Sequence, residues 1–155
     1  MKSKLINQDG LARTTEIEFE KGTIKTPVFM PVGTYGTVKT ATPDELLDLG
    51  AEIILGNTYH LMIRPGEEII KAHNGLHKFM GWEKPILTDS GGFQIWSLSK
   101  KTKINDDYVE FDSPVNGDII RLTPEKAMQM QNILGSDIQM VLDECGANED
   151  IHALD

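Results

Sequence analysis

Three short apolar runs constrain this chain more than any other feature, because each ends in polar residues and helix-like stretches separate them. They are Glu52-Ile53-Ile54-Leu55-Gly56, Pro85-Ile86-Leu87-Thr88-Asp89 and Ile138-Gln139-Met140-Val141-Leu142 with Asp143 after it. Apolar runs of this length without alternation suit strands buried on both faces. The first intervening helix is announced by Thr42-Pro43-Asp44-Glu45: Thr42 as N-cap, Pro43 at the first helical position, Glu45 closing a capping box, and Gly50 stopping the helix. A second helix, with Glu67, Glu68, Ile69, Ile70 and Lys71, follows Pro65 and ends near Asn74-Gly75. Thr123-Pro124-Glu125 caps a third, which places Ala127, Met130 and Leu134 on one face before Gly135.

Strands alternating with helices read as parallel, with their carboxyl ends on one face where ligands bind, so Asp89 and Asp143 are expected to converge. Residues 14–19 and 23–30 read as an opening hairpin around Lys21-Gly22, its second strand ending at Pro31. Tyr108-Val109-Glu110-Phe111 and Asp118-Ile119-Ile120-Arg121-Leu122 flank Asn116-Gly117 and read as an inserted hairpin. The expected fold is α/β: an incomplete (β/α)8 TIM barrel, about the first four strands, with an N-terminal hairpin and an inserted hairpin. A complete barrel takes about 250 residues, so the chain is expected to be the N-terminal half of one. A helix opening at Asn148, with Ile151 and Leu154 on one face, agrees with that expectation.

With 155 residues, 39% hydrophobic and 25% charged, the chain fits a single domain, 1–155, with a real core. No repeat and no linker-like composition argues for a second domain. No run is long enough to cross a bilayer and no leader-like segment follows the first lysines, so a cytoplasmic protein is expected. One cysteine, Cys145, excludes an internal disulfide and cannot alone build a cysteine-rich zinc site. The formal net charge of -9 argues against RNA binding by this chain on its own. Lys100-Lys101-Thr102-Lys103 is the one local basic cluster, readable as a phosphate contact or as a solvated loop.

The chemistry concentrates in Lys84-Pro85-Ile86-Leu87-Thr88-Asp89-Ser90-Gly91-Gly92-Phe93-Gln94. Here a strand ends directly in a carboxylate and a hydroxyl, the glycines let backbone amides approach a ligand, Phe93 offers a flat ring and Gln94 a two-way amide. That set suits a planar heterocycle. It also suits an ordinary strand followed by a turn.

Thr88-Asp89-Ser90-Gly91-Gly92-Phe93-Gln94 resembles the signature of the tRNA-guanine transglycosylases. Three further segments resemble the same family in the same order: Thr26-Pro27-Val28-Phe29-Met30-Pro31-Val32-Gly33-Thr34, Gly56-Asn57-Thr58-Tyr59-His60-Leu61 and Leu142-Asp143-Glu144-Cys145. The likeness covers almost the whole chain and fades at Gly146-Ala147-Asn148, where the family usually shows a Thr-Pro-Tyr-Pro-like continuation. It implies a pentosyltransferase that exchanges guanine for a queuine-type 7-deazaguanine at the tRNA anticodon wobble position, through a covalent ribosyl-aspartate in the full-length enzyme. The nucleophilic aspartate of that family lies beyond residue 155, so the chain alone is expected to be inactive.

Residue by residue, the resemblance makes Asp89 the general acid/base and Asp143 the base-recognition carboxylate. A carboxylate can accept both adjacent donors of a guanine edge, and the alternative for Asp143 is a solvated carboxylate at a strand end. Asn57 and Thr58 match residues that hydrogen-bond Asp89 in the empty site, or form a loop cap. Phe93 matches an aromatic position that stacks on the base, often tyrosine in bacterial members. Ser90, Gly91, Gly92, Gln94 and Cys145 match pocket positions, although a lone thiol is commonly a small buried hydrophobe. Val32 and Leu55 suit the pocket or the core. Tyr59, His60 and Phe79 resemble positions near the family's subunit interface, or pack within one chain.

His73 and His77 have a metal-pair spacing, but Asn74-Gly75 between them should end the helix, so no metal site is assigned. The resemblance implies zinc only in a C-terminal half that this sequence does not contain, hence no cofactor here. The implied partners are tRNA, the guanine or 7-deazaguanine base and, for the full-length protein, a second copy; no membrane partner is expected. Two other classes remain open: a noncatalytic accessory subunit of a transglycosylase complex, and an α/β enzyme using Asp89 and Asp143 as a carboxylate pair on a sugar.

Overall fold

A computed structural model describes residues 1–98 and 102–143 of the chain. The first element is an antiparallel sheet of β1 (Lys2–Asp9), β2 (Ala12–Phe19) and β3 (Gly22–Thr26), in that order. It is a three-stranded meander and not the expected hairpin. The extra strand, Lys2–Asp9, is exposed along its whole length and so carries no apolar alternation that would announce it. β3 also stops at Thr26, not at Met30, because Pro27 has no N–H with which to continue the ladder.

Local sequence logic holds where caps are explicit. In α1 (Pro43–Asp48), Thr42 Oγ1 accepts from Glu45 N–H at 3.3 Å, and the Glu45 carboxylate accepts from Thr42 N–H at 2.7 Å. Such a cap contributes about 1 kcal/mol. Next come β4 (Ile54–Gly56), α2 (Thr58–Ile63), α3 (Glu67–Ala72), α4 (Leu76–Met80), β5 (Ile86–Thr88) and α5 (Gly92–Leu98). Of these, α2 and α5 are helices where the sequence left a loop cap or a turn as an alternative, and α4 is a helix in a stretch to which the sequence assigned no element. All are seven residues or shorter, and tertiary burial of Tyr59, Leu61, Leu76 and Ile95 holds them in place of propensity.

The excursion after α5 is a second meander, β6 (Thr102–Ile104), β7 (Val109–Asp112) and β8 (Ile119–Leu122), again one strand more than the expected hairpin. Lys103 and Ile104 lie exposed on the edge strand, which gives β6 no hydrophobic face to read. The chain then forms α6 (Pro124–Leu134), capped by Thr123 and ended by Gly135 in the left-handed region, and β9 (Ile138–Gln139).

β4, β5 and β9 form a parallel sheet in chain order, with Leu55 opposite Leu87 and Leu87 opposite Ile138. Val32 adds a single parallel bridge to Leu55 on the other side of β4. The strand beside β4 is therefore one bridge at Val32, not the run 23–30, because Pro27 and Pro31 interrupt donation along that stretch. β9 is likewise shorter than the expected 138–142. Among the described residues the three sheets are small and none closes on itself.

Two apolar clusters position the site. Leu46, Ile54, Leu61, Ile70, Leu76, Trp82, Ile86, Met130 and Leu134 fill the space between the parallel sheet and helices α1 to α4 and α6. Tyr59, Ile95, Phe111, Leu122 and Ala127 seat the second meander on α2, α5 and α6. Each fully buried large side chain contributes about 1.5–3 kcal/mol of transfer free energy. No helix among the described residues is long and apolar enough to cross a membrane.

Candidate active site

Asp89 follows the last residue of β5, and its N–H donates to Gly56 O at 3.2 Å, which carries the β4 ladder one step past the strands. Its carboxylate sits among three donors: Asn57 Nδ2 to Oδ2 at 2.6 Å, Thr58 N–H to Oδ1 at 2.8 Å and Gln94 Nε2 to Oδ2 at 3.0 Å. Thr58 Oγ1 also donates to the Asp89 carbonyl at 2.6 Å. Asn57 stands at the N-cap of α2 yet makes no side-chain cap bond to its own helix. Asp89 takes that place, accepting both the Asn57 side chain and the first helical N–H.

Burial pushes the Asp89 carboxyl above the usual carboxylate range. The hydrogen bonds from Asn57, Thr58 and Gln94 offset part of that rise, and the negative charge of Asp143 adds to it. Gln94, while donating to Asp89, leaves its Oε1 buried without a hydrogen-bond partner among the described residues.

Asp143 lies beyond β9, the next parallel strand over, and is exposed. Ser90 connects it to the Asp89 strand: the Ser90 hydroxyl donates to Asp143 Oδ1, while Ser90 Oγ accepts from Gly92 N–H at 3.2 Å and, more distantly, Asp143 N–H at 3.4 Å. The glycines are dictated by close approach. A Cβ at Gly92 would fall on the carbonyl and carboxylate oxygens of Asp143, and Gly91, at φ +88°, packs its backbone against Tyr59.

Phe93 is half exposed and its ring lies 5.8 Å from that of Trp96, also half exposed, which gives α5 an aromatic face. Trp96 was not singled out from the sequence, though its three-residue spacing from Phe93 on a helix is the signal for it. Val32, half exposed, lies beside Leu55 at the edge of the parallel sheet. Asp89, Ser90, Gly91, Gly92, Gln94, Asn57, Thr58 and Asp143 thus form one contiguous cluster. Cys145 and Lys100-Lys101 lie outside the described residues, as does the expected helix from Asn148.

Tyr59, His60 and Phe79 fall elsewhere. Tyr59 is buried, with its ring 5.5 Å from Phe111, and packs within the chain. His60 packs edge-on to Tyr59 and Tyr35 at 5.2 and 5.1 Å, and with Phe79 it lines a groove completed by Pro65 and Val115. Burial pulls the His60 imidazole below its usual value, against the opposing charge of Asp89. His73 and His77 do not face a common point: His73 Nδ1 bonds Ile69 O at 2.8 Å, and His77 Nε2 bonds Asp137 Oδ2 at 3.1 Å. Among the described residues no cluster of His, Cys, Asp and Glu is placed to hold a metal ion.

Fold and site together define an α/β protein in which two carboxylates, Asp89 and Asp143, gather beyond the carboxyl ends of neighbouring parallel strands. The family model for queuine tRNA-ribosyltransferase matches residues 8–152, and the chain belongs to that family, whose members are TIM-barrel enzymes. It is 61% identical over 145 residues to the queuine tRNA-ribosyltransferase of Thioalkalivibrio sulfidiphilus, 59% to that of Aliivibrio salmonicida and 61% to that of Pseudoalteromonas atlantica. Each alignment takes in 94% of this chain and 39% of the relative, so the chain spans well under half the length of these proteins.

Proposed function

We propose that these residues supply the base-recognition and acid/base part of a tRNA-guanine transglycosylase, which exchanges guanine for a queuine-type 7-deazaguanine at the anticodon wobble position. The observation that carries the reading is the pair of carboxylates on adjacent strand ends: Asp89 seated by Asn57, Thr58 and Gln94, and Asp143 tied to Ser90. The names borne by the relatives support it. The parallel order of Val32, β4, β5 and β9 supports placing the chain, as one domain, in the first half of a (β/α)8 barrel.

In this reading Asp143 accepts the ring N–H and amino group of guanine, a bidentate pair whose charge-assisted bonds are stronger than neutral ones. Phe93 stacks on the base. Asp89 protonates the departing guanine as its bond to the ribose breaks, then takes the proton from the incoming heterocycle as the new bond forms. Its raised pKa brings the carboxyl closer to both duties. Asn57 and Thr58 hold it in a resting position until tRNA arrives. The attacking aspartate, which makes the covalent ribosyl intermediate, is not among the residues assigned here, so the 155-residue chain alone does not catalyse exchange.

The proposed partners are tRNA, the free base and a second copy of the full-length protein, the last seated on the groove of Tyr35, His60 and Phe79. Cytoplasmic residence and the absence of a cofactor from this part of the enzyme belong to the same reading. The test is incorporation of labelled guanine into tRNA by the full-length protein, with guanine binding read by saturation-transfer NMR. Asp143→Ala is expected to lose guanine binding, and Asp89→Asn to keep binding but lose exchange. Undiminished binding by a folded Asp143→Ala variant would remove the reading.

A further inference from the structure

One buried side chain braces both carboxylate-bearing strand ends while touching neither carboxylate. Gln131 lies on α6 with no solvent exposure, on the same face as Ala127, Met130 and Leu134. Its Oε1 accepts from the Thr88 hydroxyl at 2.9 Å and from Met140 N–H at 2.9 Å, and its Nε2 donates to the Met140 carbonyl at 2.8 Å. Thr88 immediately precedes Asp89, and Met140 lies three residues before Asp143.

The amide therefore pairs with Met140 in both directions, as the backbone of a neighbouring strand would. Met140 N–H is shared with Thr88 O, at 3.2 Å the last rung between the two strands. Ser136 completes the group: its Oγ lies 2.6 Å from Thr88 Oγ1, and because Thr88 uses its proton on Gln131, Ser136 is the donor. An apolar residue would satisfy the helix pattern at this position. Glutamine is there instead, and only a side chain of that length with both a donor and an acceptor makes all three bonds. Buried polar groups so fully paired fix a single geometry, whereas removing one partner leaves the others unsatisfied.

We propose that Gln131 is a positioning residue that sets where Asp143 stands relative to Asp89, and through that the affinity of the site for guanine. The substrate named here rests on the transglycosylase reading; the brace itself rests on geometry.

The test compares Gln131→Met and Leu134→Ala in the full-length protein. Gln131→Met is expected to stay folded and raise KM for guanine about tenfold or more, since small misplacements of binding groups carry costs of that order. Leu134→Ala removes an equally buried side chain from the same face of α6, one that makes no bond to either strand end, so it should cost stability yet keep that KM within about twofold of the unaltered protein. A general loss of stability would move both variants together, so only the split marks positioning. If Gln131→Met does not fold, Gln131→Asn, one methylene too short to reach Met140, takes its place.

A second readout is independent of activity. The carboxyl carbon of Asp89, followed by NMR, should titrate at lower pH in the Gln131 variant, because an unbraced Asp143 relaxes away from it. An unaltered protein that incorporates no guanine would sink the transglycosylase reading, and the Asp89 titration would still decide the brace. Equal KM changes in the two variants, or an unmoved Asp89 midpoint in a folded Gln131 variant, would overturn the proposal.

Discussion

Ser90 and Asp143, 53 positions apart in sequence, meet through a hydrogen bond from the Ser90 hydroxyl to Asp143 Oδ1, and the same Ser90 oxygen accepts the Gly92 N–H. The hydroxyl thus links the start of α5 to the carboxylate proposed to read the base. Ser90→Ala should leave Asp143 without this donor and weaken guanine binding by about 1.5–3 kcal/mol, the usual worth of a hydrogen bond to a charged group. Calorimetric titration of guanine against both proteins measures it. An unchanged affinity would mean that Ser90 does not orient Asp143.

Gly92→Ala tests the close approach on the other side of the same carboxylate. The added methyl would fall on Asp143 oxygens, so either Asp143 or the first turn of α5 must move. Overpacking of this kind costs about 1–3 kcal/mol, read from the shift in urea midpoint, and guanine binding should fall with it. Retention of both would show that the loop yields at no cost.

The raised pKa of Asp89 has a definite sign in stability. The folded chain holds the proton more tightly than the unfolded chain does, so ionisation of Asp89 costs stability as pH rises from the unfolded value, about 3.9, through the raised folded value. Against an Asp89→Asn variant, the native protein should therefore gain relative stability as pH is lowered from 7 toward 4. Urea unfolding at a series of pH values gives the difference; a difference independent of pH would contradict the burial argument.

His77 behaves oppositely. Burial is the main cause holding its imidazole below the usual value, with the positive charge of Lys21 in the same direction and Asp137 opposing both. The folded state resists protonation, so stability contributed by neutral His77 is present above about pH 6.5 and is lost as pH falls through the folded value. Replacing Asp137 by Asn removes the opposing charge, and the His77 ring resonance should then titrate at still lower pH. A midpoint that rises instead would mean that Asp137 does not act on the ring as its 3.1 Å contact implies.

Much of the fold was legible where the chain announces itself locally. Thr42 with Glu45, Thr123 with Pro124, and Gly135 mark helix ends through side-chain and backbone chemistry that needs no tertiary partner. The strand at Ile86 and Leu87 and the polar cluster after it were legible for the same reason. What escaped depends on partners distant in sequence. The helix at Thr58–Ile63 is capped by Asp89 and not by Asn57, the exposed edge strands show no apolar face, and Gln131 sits on a helix face whose pattern calls for an apolar residue. The shortness of β9 has a similar origin, since Met140 shares its N–H between Thr88 O and the Gln131 amide and gives its carbonyl to that amide.

The sheet that carries the two carboxylates has a consequence for how such a chain can vary. Adjacent strands are held about 4.8 Å apart by their backbones, so the spacing of Asp89 and Asp143 is counted in rungs, whatever the length of chain between them. The whole excursion of the second meander can therefore grow, shrink or be exchanged without moving either group, provided Phe111 and Leu122 still find Tyr59 and Ile95. A single residue inserted between Thr88 and Asp89, by contrast, would turn the carboxylate to the opposite side of the sheet and leave every other contact of the strand in place.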